Sequence, residues 1–283
     1  MAIKLDHANE AVITRSVVDQ SEKTIKYHAL IIATGSSTPS PLLGLNSNAD
    51  TLPKSIIVAG GGPAGIETPG ELGEHLNGTL GWLSRRLDNG KVQITVVTSA
   101  SKILPVLRPS ITKKPEDFLA RVCITELKDA RVTSVQPLQS GSEDALGTKT
   151  TVTLSDGRVL EADIYIPATG TTPSIGFLDR SLLVSDGRMD ANKGTLRVEK
   201  AGERVYAIGD VASYARAAVH AILSAIPALC ANVRRDLLLA EWIVPDWDDH
   251  VFVEDTRETR LVPIGQGWGV GAAMGWQLPG FFV

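Results

Sequence analysis

The stretch that most constrains how this chain can fold is Lys54–Leu72, KSIIVAGGGPAGIETPGEL. The apolar run Ser55–Ala59 indicates a buried parallel strand, and a helical pattern follows the glycines. Between them, Gly60, Gly62 and Gly65 have the G-x-G-x-x-G spacing of a dinucleotide-binding turn. The first glycine of such a turn permits the bend, the second lets a pyrophosphate approach, and the third lets helix and strand pack closely. The strand before and the helix after disfavour the alternative, a glycine-rich surface turn.

The glycine turn belongs to a predicted βαβ unit over Thr51–Val97. We expect a helix from about Ala64 to Arg86, with Pro69 in its first turn, and a second strand at Val92–Val97. A right-handed crossover places this second strand parallel to the first one and beside it. The unit predicts an α/β fold.

The residues after this second strand affect the choice of nucleotide. NAD-specific proteins usually place Asp or Glu there to hold the ribose 2′-hydroxyl. Here the chain has Thr98, Ser99 and Ser101, followed by Lys102, and no carboxylate. Nothing at this position repels a 2′-phosphate, so we expect NADPH to be accepted at least as well as NADH.

Hydrophobic periodicity predicts the remaining strands and helices. We expect a ribbon near the N-terminus, a helix and a meander after the βαβ unit, and a long helix beyond residue 210. In chain order, the predicted ranges are 11–16, 24–27 and 29–33 (strands), 117–127 (helix), 131–137, 150–154, 158–160, 162–170, 195–198 and 204–210 (strands), and 211–233 (helix).

Composition and charge exclude several classes of function. The net charge of −4 argues against non-specific nucleic-acid binding, which needs a basic surface. The two cysteines, Cys123 and Cys230, form no Cys-x-x-Cys redox pair, and we interpret both as buried, inert thiols. The five histidines show no metal-ligand spacing, so we predict no metal site. The N-terminus has no apolar signal core, which predicts a cytoplasmic protein.

Three buried strands end in small or acidic residues, at Thr34–Gly35, Thr169–Gly170 and Gly209–Asp210. Small residues at the end of a strand let a cofactor or another backbone come close. Asp210 suits a hydrogen bond to a ribose or ribityl hydroxyl, and it equally suits the cap of a helix beginning at Val211. The pattern alone leaves these two interpretations even.

The C-terminal stretch Arg260–Val283 combines glycines with Trp268, Trp276, Phe281 and Phe282. Glycine with aromatics is compatible with an apolar pocket or a membrane-facing edge. Composition alone favours a packed C-terminal segment.

Together these marks resemble the two-dinucleotide-domain flavoprotein reductases. Their order and spacing resemble the apoptosis-inducing-factor-like branch, which includes the ferroptosis-suppressor type. The matching stretches are Ala33–Gly35, Gly60–Glu67, Ala168–Gly170, Ile208–Asp210, and the tail stretches Leu261–Gly265 and Gly275–Pro279 that are typical of the branch. The resemblance covers nearly the whole chain.

The resemblance implies an oxidoreductase that passes hydride from NAD(P)H through FAD to a quinone-like acceptor. It places Glu67, close to where nicotinamide meets flavin, as the catalytic residue, and Asp210 as a ligand of a flavin hydroxyl. The implied cofactor-binding residues are Gly60, Gly62 and Gly65 for NAD(P)H, and Thr34, Gly35, Gly170, Gly209 and Asp210 around the flavin. The protein supplies position and electrostatics, and the cofactors supply the redox chemistry.

The resemblance also implies a domain order. An NAD(P)-binding Rossmann-like domain, residues 53–160, is inserted in an FAD-binding Rossmann-like domain made of residues 1–52 and 161–240, and residues 241–283 form a C-terminal segment. The family begins with its own strand, glycine turn and helix for the FAD pyrophosphate, and nothing before Tyr27 resembles them. We therefore expect an incomplete FAD-binding domain in an N-terminally truncated chain.

Two alternatives to the enzyme stay open at this point. One is a non-catalytic NAD(P)-binding remnant, and the other is a truncated gene model that lacks the FAD pyrophosphate site. The expected partner is a small electron acceptor and not a nucleic acid. Peripheral membrane contact and homo-oligomerisation are further expectations.

Overall fold

The computed structural model describes residues 1–38, 53–79, 87, 90–105, 107–137 and 149–283. The chain forms two compact units. The first unit joins Met1–Ser37 to Thr171–Thr256, and the second joins Thr38–Gly170 to Arg257–Val283. Each unit is therefore built from two stretches that are distant in sequence.

The second unit is organised around a four-stranded parallel sheet. In spatial order its strands are Ile164–Pro167, Ser55–Ala59, Gln93–Val97 and Ile124–Leu127. Apolar, mostly β-branched strands of this kind suit a parallel sheet that is covered on both faces. The parallel pairing of Ser55–Ala59 with Gln93–Val97 confirms the predicted βαβ unit, and the predicted α/β fold class is confirmed with it.

Alternate residues of the central strand enter two different cores, as the period of a strand requires. Ile56 and Val58 join the core that contains the helices Pro63–Asn77 and Pro109–Arg121. Ile57 and Ala59 join a smaller core formed with an antiparallel sheet. The strands of that sheet are Val132–Pro137, Thr150–Leu154 and Val159–Ala162.

The end of the chain completes the helix-side core of the second unit. Its antiparallel sheet has the strands Arg260–Pro263, Gly269–Ala273 and Trp276–Gln277, and the short 3-10 helix Gly280–Phe282 follows. Val262 and Val270 are buried in this core. The ring of Trp268 stacks on that of Phe118 with 5.0 Å between centroids. The sheet of the tail is thus packed against the helices, as composition favoured, whereas Trp276, Phe281 and Phe282 are exposed.

The first unit begins with a three-stranded antiparallel sheet, Ala2–Asp6, Ala11–Arg15 and Glu22–Lys26. Two short pairs follow: Leu30–Ile32 lies parallel to Val205–Ala207, and Ser36–Ser37 lies antiparallel to Thr172–Pro173. The long helix Val219–Ala240 contributes small residues such as Ala221 and Ala225 to the core. The unit also has three short 3-10 helices, His7–Asn9, Arg180–Leu182 and Glu199–Ala201.

A polar network ties this long helix to the rest of the first unit. The Arg197 guanidinium donates hydrogen bonds to the carboxylates of Asp236 and Asp249 at 2.6–2.8 Å. The hydroxyl of the buried Tyr206 donates to Asp236 as well. These hydrogen bonds raise the pKa of Arg197 and lower the pKa of Asp249. At this point the long helix is therefore attached to the unit by ion pairs and hydrogen bonds and not by apolar side chains.

The helix of the βαβ unit starts where it was predicted, but it ends earlier. It begins at Pro63 and ends at Asn77, because Gly78 leaves the helical conformation with a φ of 107°. Residues 80–86 of the predicted helix lie outside the described residues. Pro69 is buried in the second turn, close to the helix start where it was expected.

The predicted helix 117–127 is also wrong in its second half. The helix Pro109–Arg121 ends there, and Cys123 adopts a left-handed φ of 62°. The strand Ile124–Leu127 then starts, with Ile124 paired to Ile94. Sheet pairing has overridden the local helical pattern.

The predicted helix 211–233 starts eight residues late, at Val219. The backbone before it is engaged elsewhere: Met189 N–H donates to Val211 at 2.7 Å, and Ser213 N–H donates to Met189 at 3.0 Å. These long-range bonds use the groups that a helix would need. The predicted strand 195–198 is reduced to a single bridge between Arg197 and Tyr206.

The units also divide the chain differently from the predicted ranges. Strand Ile164–Pro167, assigned by sequence to the FAD-binding part, pairs with Ser55–Ala59 inside the second unit. Cys230 is exposed, which corrects its predicted burial, and Cys123 is half-buried. Among the described residues, no helix combines the length and apolar character needed to span a bilayer.

Candidate functional site

Two glycines of the fingerprint are required by close backbone contacts. Gly60 has a φ of 136°, and a β-carbon there would clash with the carbonyl oxygen of Ala168. A β-carbon on Gly65 would clash with the carbonyl oxygen of Gly60 itself. The turn is therefore packed against the end of the neighbouring strand on one side and against its own helix on the other.

Gly62 is different, because a β-carbon on it would meet no atom within 4 Å. It is the N-cap of the helix Pro63–Asn77, and no side chain caps that end. The first N–H groups of a helix lack intrahelical partners and carry partial positive charge. A helix end that no side chain caps, with open space beside its N-cap glycine, suits a pyrophosphate, so this part of the chain fits a dinucleotide.

The loop after the second parallel strand is held against the glycine turn at both ends. Gly60 N–H donates to Val97 at 2.8 Å, and Leu104 N–H donates to Gly61 at 2.6 Å. Thr98 is buried, and its side chain fills the space beside Gly61. Residues 99–102 therefore lie next to the phosphate-binding turn.

Glu67 is the fifth residue of the helix that follows the turn. It lies in the second turn of that helix, because the helix begins at Pro63. The side chain is half-buried, and burial raises the pKa of its carboxyl above the ordinary value. No described residue forms a hydrogen bond or ion pair with the carboxylate. Glu67 is thus a partly desolvated acid beside an open anion site, the setting in which functional carboxyls are found.

In the first unit, the predicted flavin-binding residues meet at the ends of two paired strands. Leu30–Ile32 and Val205–Ala207 are parallel, so Gly35 and Asp210 follow at the same edge. Ser36 Oγ donates a 2.8 Å hydrogen bond to Asp210 Oδ2 and joins the two strand ends directly. This edge is where ligands bind in open α/β sheets.

The backbone around this edge has the conformations that glycine allows. Gly35 has a φ of 63° and Gly209 a φ of 83°. Thr34 Oγ1 donates to the carbonyl of Ser174 at 2.9 Å, which fixes the segment before Gly35. The helix begins at Val219, nine residues after Asp210, so the helix-cap interpretation of Asp210 is wrong.

The sequence predictions thus fall into two groups, one in each unit. Gly60, Gly62, Gly65 and Glu67 lie together at the start of one helix. Gly170, with a φ of 108° and open space around it, closes the stretch of the second unit that contains them. Thr34, Gly35, Gly209 and Asp210 lie together in the first unit. Sequence reasoning missed Ser36 and Ser174, and only Ser36 had a signal, its position directly after Gly35.

Comparison with known proteins yields matches over most of the chain. A model of the pyridine nucleotide-disulphide oxidoreductase family matches residues 1–225. Oxidoreductase phnG from Penicillium herquei is 54% identical over 295 aligned positions, which cover 99% of this chain and 70% of that protein.

Solved structures with the same fold include a pyridine nucleotide-disulfide family oxidoreductase from Enterococcus faecalis V583, with a TM-score of 0.64 and 16% identity. An engineered water-forming NADPH oxidase bound to NADPH, derived from an enzyme of Lactobacillus brevis, also has a TM-score of 0.64, with 14% identity. Both comparisons cover 95% of this chain, and it spans 59% and 57% of those two chains, respectively.

Proposed function

Because the chain belongs to the pyridine nucleotide-disulphide oxidoreductase family, we propose that it passes reducing equivalents from NAD(P)H through FAD to a small quinone-like acceptor. The predicted enzyme class and cofactors, an NAD(P)H-dependent flavoprotein oxidoreductase, are confirmed at the level of the family. The acceptor and the place of the chain in the apoptosis-inducing-factor-like branch are part of the proposal. The branch is supported by the sequence of the tail, Leu261–Gly265 and Gly275–Pro279, which resembles that branch.

One observation carries the proposal: Gly62 borders open space at a helix N-terminus that no side chain caps, and Glu67 of the same helix is partly desolvated. When bound, the nicotinamide supplies the hydride and the flavin relays the electrons. The residues of this chain supply position: the helix end binds the pyrophosphate, and the Glu67 carboxylate orients the reacting end of the nucleotide. Asp210, oriented by Ser36, accepts a hydrogen bond from a flavin hydroxyl.

A quinone-like acceptor is favoured over a disulfide by the cysteines. The sequence has only Cys123 and Cys230, separated by more than one hundred residues, and no Cys-x-x-Cys pair. Reduction of a disulfide by exchange needs an adjacent dithiol. We therefore expect NAD(P)H oxidation to be stimulated by a water-soluble benzoquinone and not by glutathione disulfide.

The proposal is tested with Glu67→Gln, which keeps the shape of the side chain and removes its charge. Loss of an orienting group should slow flavin reduction by NAD(P)H about 100-fold in rapid-mixing absorbance measurements. The matched control is Glu71→Gln, one helical turn further on and exposed to solvent. Equal rates in well-folded Glu67→Gln and wild-type proteins would refute the role of Glu67.

The flavin spectrum of the purified chain tests the cofactor itself. A yellow protein whose absorbance is bleached by NAD(P)H supports the enzyme. A colourless protein that binds NAD(P)H would instead support the non-catalytic remnant.

Three further parts of the function remain predictions. A cytoplasmic location is one of them. Peripheral membrane contact is the second, and it is compatible with the exposed Trp276, Phe281 and Phe282 at the C-terminus. Homo-oligomerisation is the third, and it is compatible with the exposed Leu223 and Ile226 on the long helix. Vesicle co-sedimentation and analytical ultracentrifugation of the purified chain measure the last two directly.

A further inference from the structure

The loop of residues 98–104 follows the second strand of the βαβ unit. In dinucleotide-binding folds, the ribose next to the adenine lies beyond the second strand of the βαβ unit. That strand ends at Val97, and both ends of the following loop are hydrogen-bonded to the glycine turn. Ser99 and Ser101 are exposed on this loop, whereas Thr98 is turned inward and buried.

In sequence, the charged residues around this loop are all basic. Residues 90–115 contain no Asp or Glu and five Lys or Arg. Arg108 is already engaged by Glu258 and by the Gly275 carbonyl. Lys102 is half-buried in the loop and forms no ion pair with any described residue. An ammonium group held beside a phosphate-binding turn without a partner is suited to a second phosphate.

One acid is joined to the loop by its backbone, from the end of the neighbouring strand Ile124–Leu127. Asp129 N–H donates to Ala100 at 3.2 Å, and its side chain is exposed. Glu126 and Glu116 both pair with Lys128. Asp129 forms no ion pair with any described residue, so its carboxylate is the alternative to Lys102 as the group that contacts the ribose.

We propose that Ser99, Ser101 and Lys102 bind the adenosine 2′-phosphate, and that this chain uses NADPH in preference to NADH. The hydroxyls of Ser99 and Ser101 donate hydrogen bonds to the phosphate oxygens, and the Lys102 ammonium neutralises its charge. NAD-specific proteins place an acid at this position, and a 2′-phosphate is excluded there by like-charge repulsion. The inference rests on the proposed function, because it assigns the nucleotide of the same site.

The test is calorimetric titration of the full chain with NADPH, NADH and 2′,5′-ADP, a probe that carries the 2′-phosphate without the nicotinamide. Wild type should bind NADPH at least about tenfold more tightly than NADH, since a charge-assisted hydrogen bond to phosphate is lost with NADH. Lys102→Gln should weaken NADPH and 2′,5′-ADP about tenfold and leave NADH unchanged. Lys91→Gln is the matched control, because Lys91 precedes the same strand at its opposite end.

A second pair of variants separates Lys102 from Asp129 as the group that contacts the ribose. Ser99→Asp should reverse the preference toward NADH, and Asp129→Asn should leave the preference for NADPH intact. Tighter binding of NADH by wild type, lost in Asp129→Asn, would overturn the inference and assign the ribose to Asp129. Equal weakening of both nucleotides by Lys102→Gln would overturn it as well. Failure of the wild-type chain to bind either nucleotide would refute the proposed function itself, which keeps the two failures distinct.

Discussion

The two units of this chain build their ligand-binding edges in opposite ways. In the second unit, the edge is made of main chain: Gly60 and Gly65 pack backbone against backbone, and Gly62 leaves the helix end open. In the first unit, the edge is fixed by side chains, through the Ser36–Asp210 bond and the Thr34–Ser174 bond. Gly60 and Gly65 therefore tolerate no added atom, whereas the edge in the first unit is weakened one hydrogen bond at a time.

The largest expected effect is that of Gly60→Val, because it forces a branched side chain onto the Ala168 carbonyl at a φ of 136°. Overpacking and backbone strain together should lower the free energy of unfolding by about 4 kcal/mol. Gly62→Ala is the contrasting change, since its methyl group enters open space. We expect it to leave the urea unfolding midpoint unchanged and to weaken NADPH binding. Equal stability losses in the two variants would contradict the backbone account of this site.

Arg197→Met tests the side-chain account in the first unit. It leaves Asp236, Asp249 and Tyr206 without the guanidinium that joins them, and it should cost about 3 kcal/mol. Lys200→Met is the control, because the Lys200–Asp190 pair is exposed and should contribute less than about 1 kcal/mol. NADPH binding, which belongs to the second unit, should persist in both variants under native conditions. An Arg197→Met protein as stable as the Lys200→Met control would show that the network does not contribute to the free energy of unfolding.

Ser36→Ala removes one hydrogen bond from the flavin-binding edge. Asp210 then loses its orienting donor, and FAD affinity should fall about tenfold, measured by flavin fluorescence on dilution. Ser37→Ala, at the next and exposed position, should leave affinity unchanged. NADPH affinity should be the same in both variants. Unaltered FAD binding by Ser36→Ala would show that Asp210, as oriented by Ser36, does not contribute to FAD affinity.

The smallest effects are those of pH, and they have opposite signs in the two units. Arg197 lowers the pKa of Asp249, so this carboxylate stabilises the fold above its ordinary pKa, and the contribution is lost as pH falls through the lowered pKa. Burial raises the pKa of Glu67, so stability is highest with the acid protonated and decreases as pH rises through the raised pKa.

Two variants measure these opposite slopes. Asp249→Asn should cost about 1 kcal/mol at neutral pH and reduce the acid sensitivity of the first unit. Glu67→Gln should keep or raise neutral stability by a few tenths of a kcal/mol. Urea unfolding of each variant at acidic and neutral pH gives the change in the free energy of unfolding and its dependence on pH. A stability loss in Glu67→Gln at neutral pH would show that the carboxylate has a stabilising partner.

The backbone-built site was accessible from sequence because its requirements are local. Gly60, Gly62 and Gly65 are close in sequence, and the bend, the approach of phosphate and the packing of the helix each exclude a side chain at one position. The parallel pair Ser55–Ala59 and Gln93–Val97 was predicted for the same reason, since an apolar strand beside such a turn has few alternatives.

The side-chain-built site was only half accessible, because its partners are distant in sequence. Strand ends at Thr34–Gly35 and Gly209–Asp210 were visible, but the bond from Ser36 spans 174 residues. The late start of the helix at Val219 has the same origin, because the backbone groups of Val211 and Ser213 are hydrogen-bonded to Met189 and are not available to a helix. Local propensity has no means of anticipating such long-range competition.

The packing of the C-terminal strand on the nucleotide-binding helix has a consequence for how the protein is made. Gln266 N–H donates to Glu74 across 192 residues at 2.7 Å, and Ile264 lies against Gly70 of the same helix. During synthesis that helix leaves the ribosome long before the strand that covers it exists. Contacts so distant in sequence slow folding and leave apolar surface exposed meanwhile. The second unit therefore reaches its final form only after translation. The longer the delay, the longer the apolar face of its helix stays exposed to aggregation.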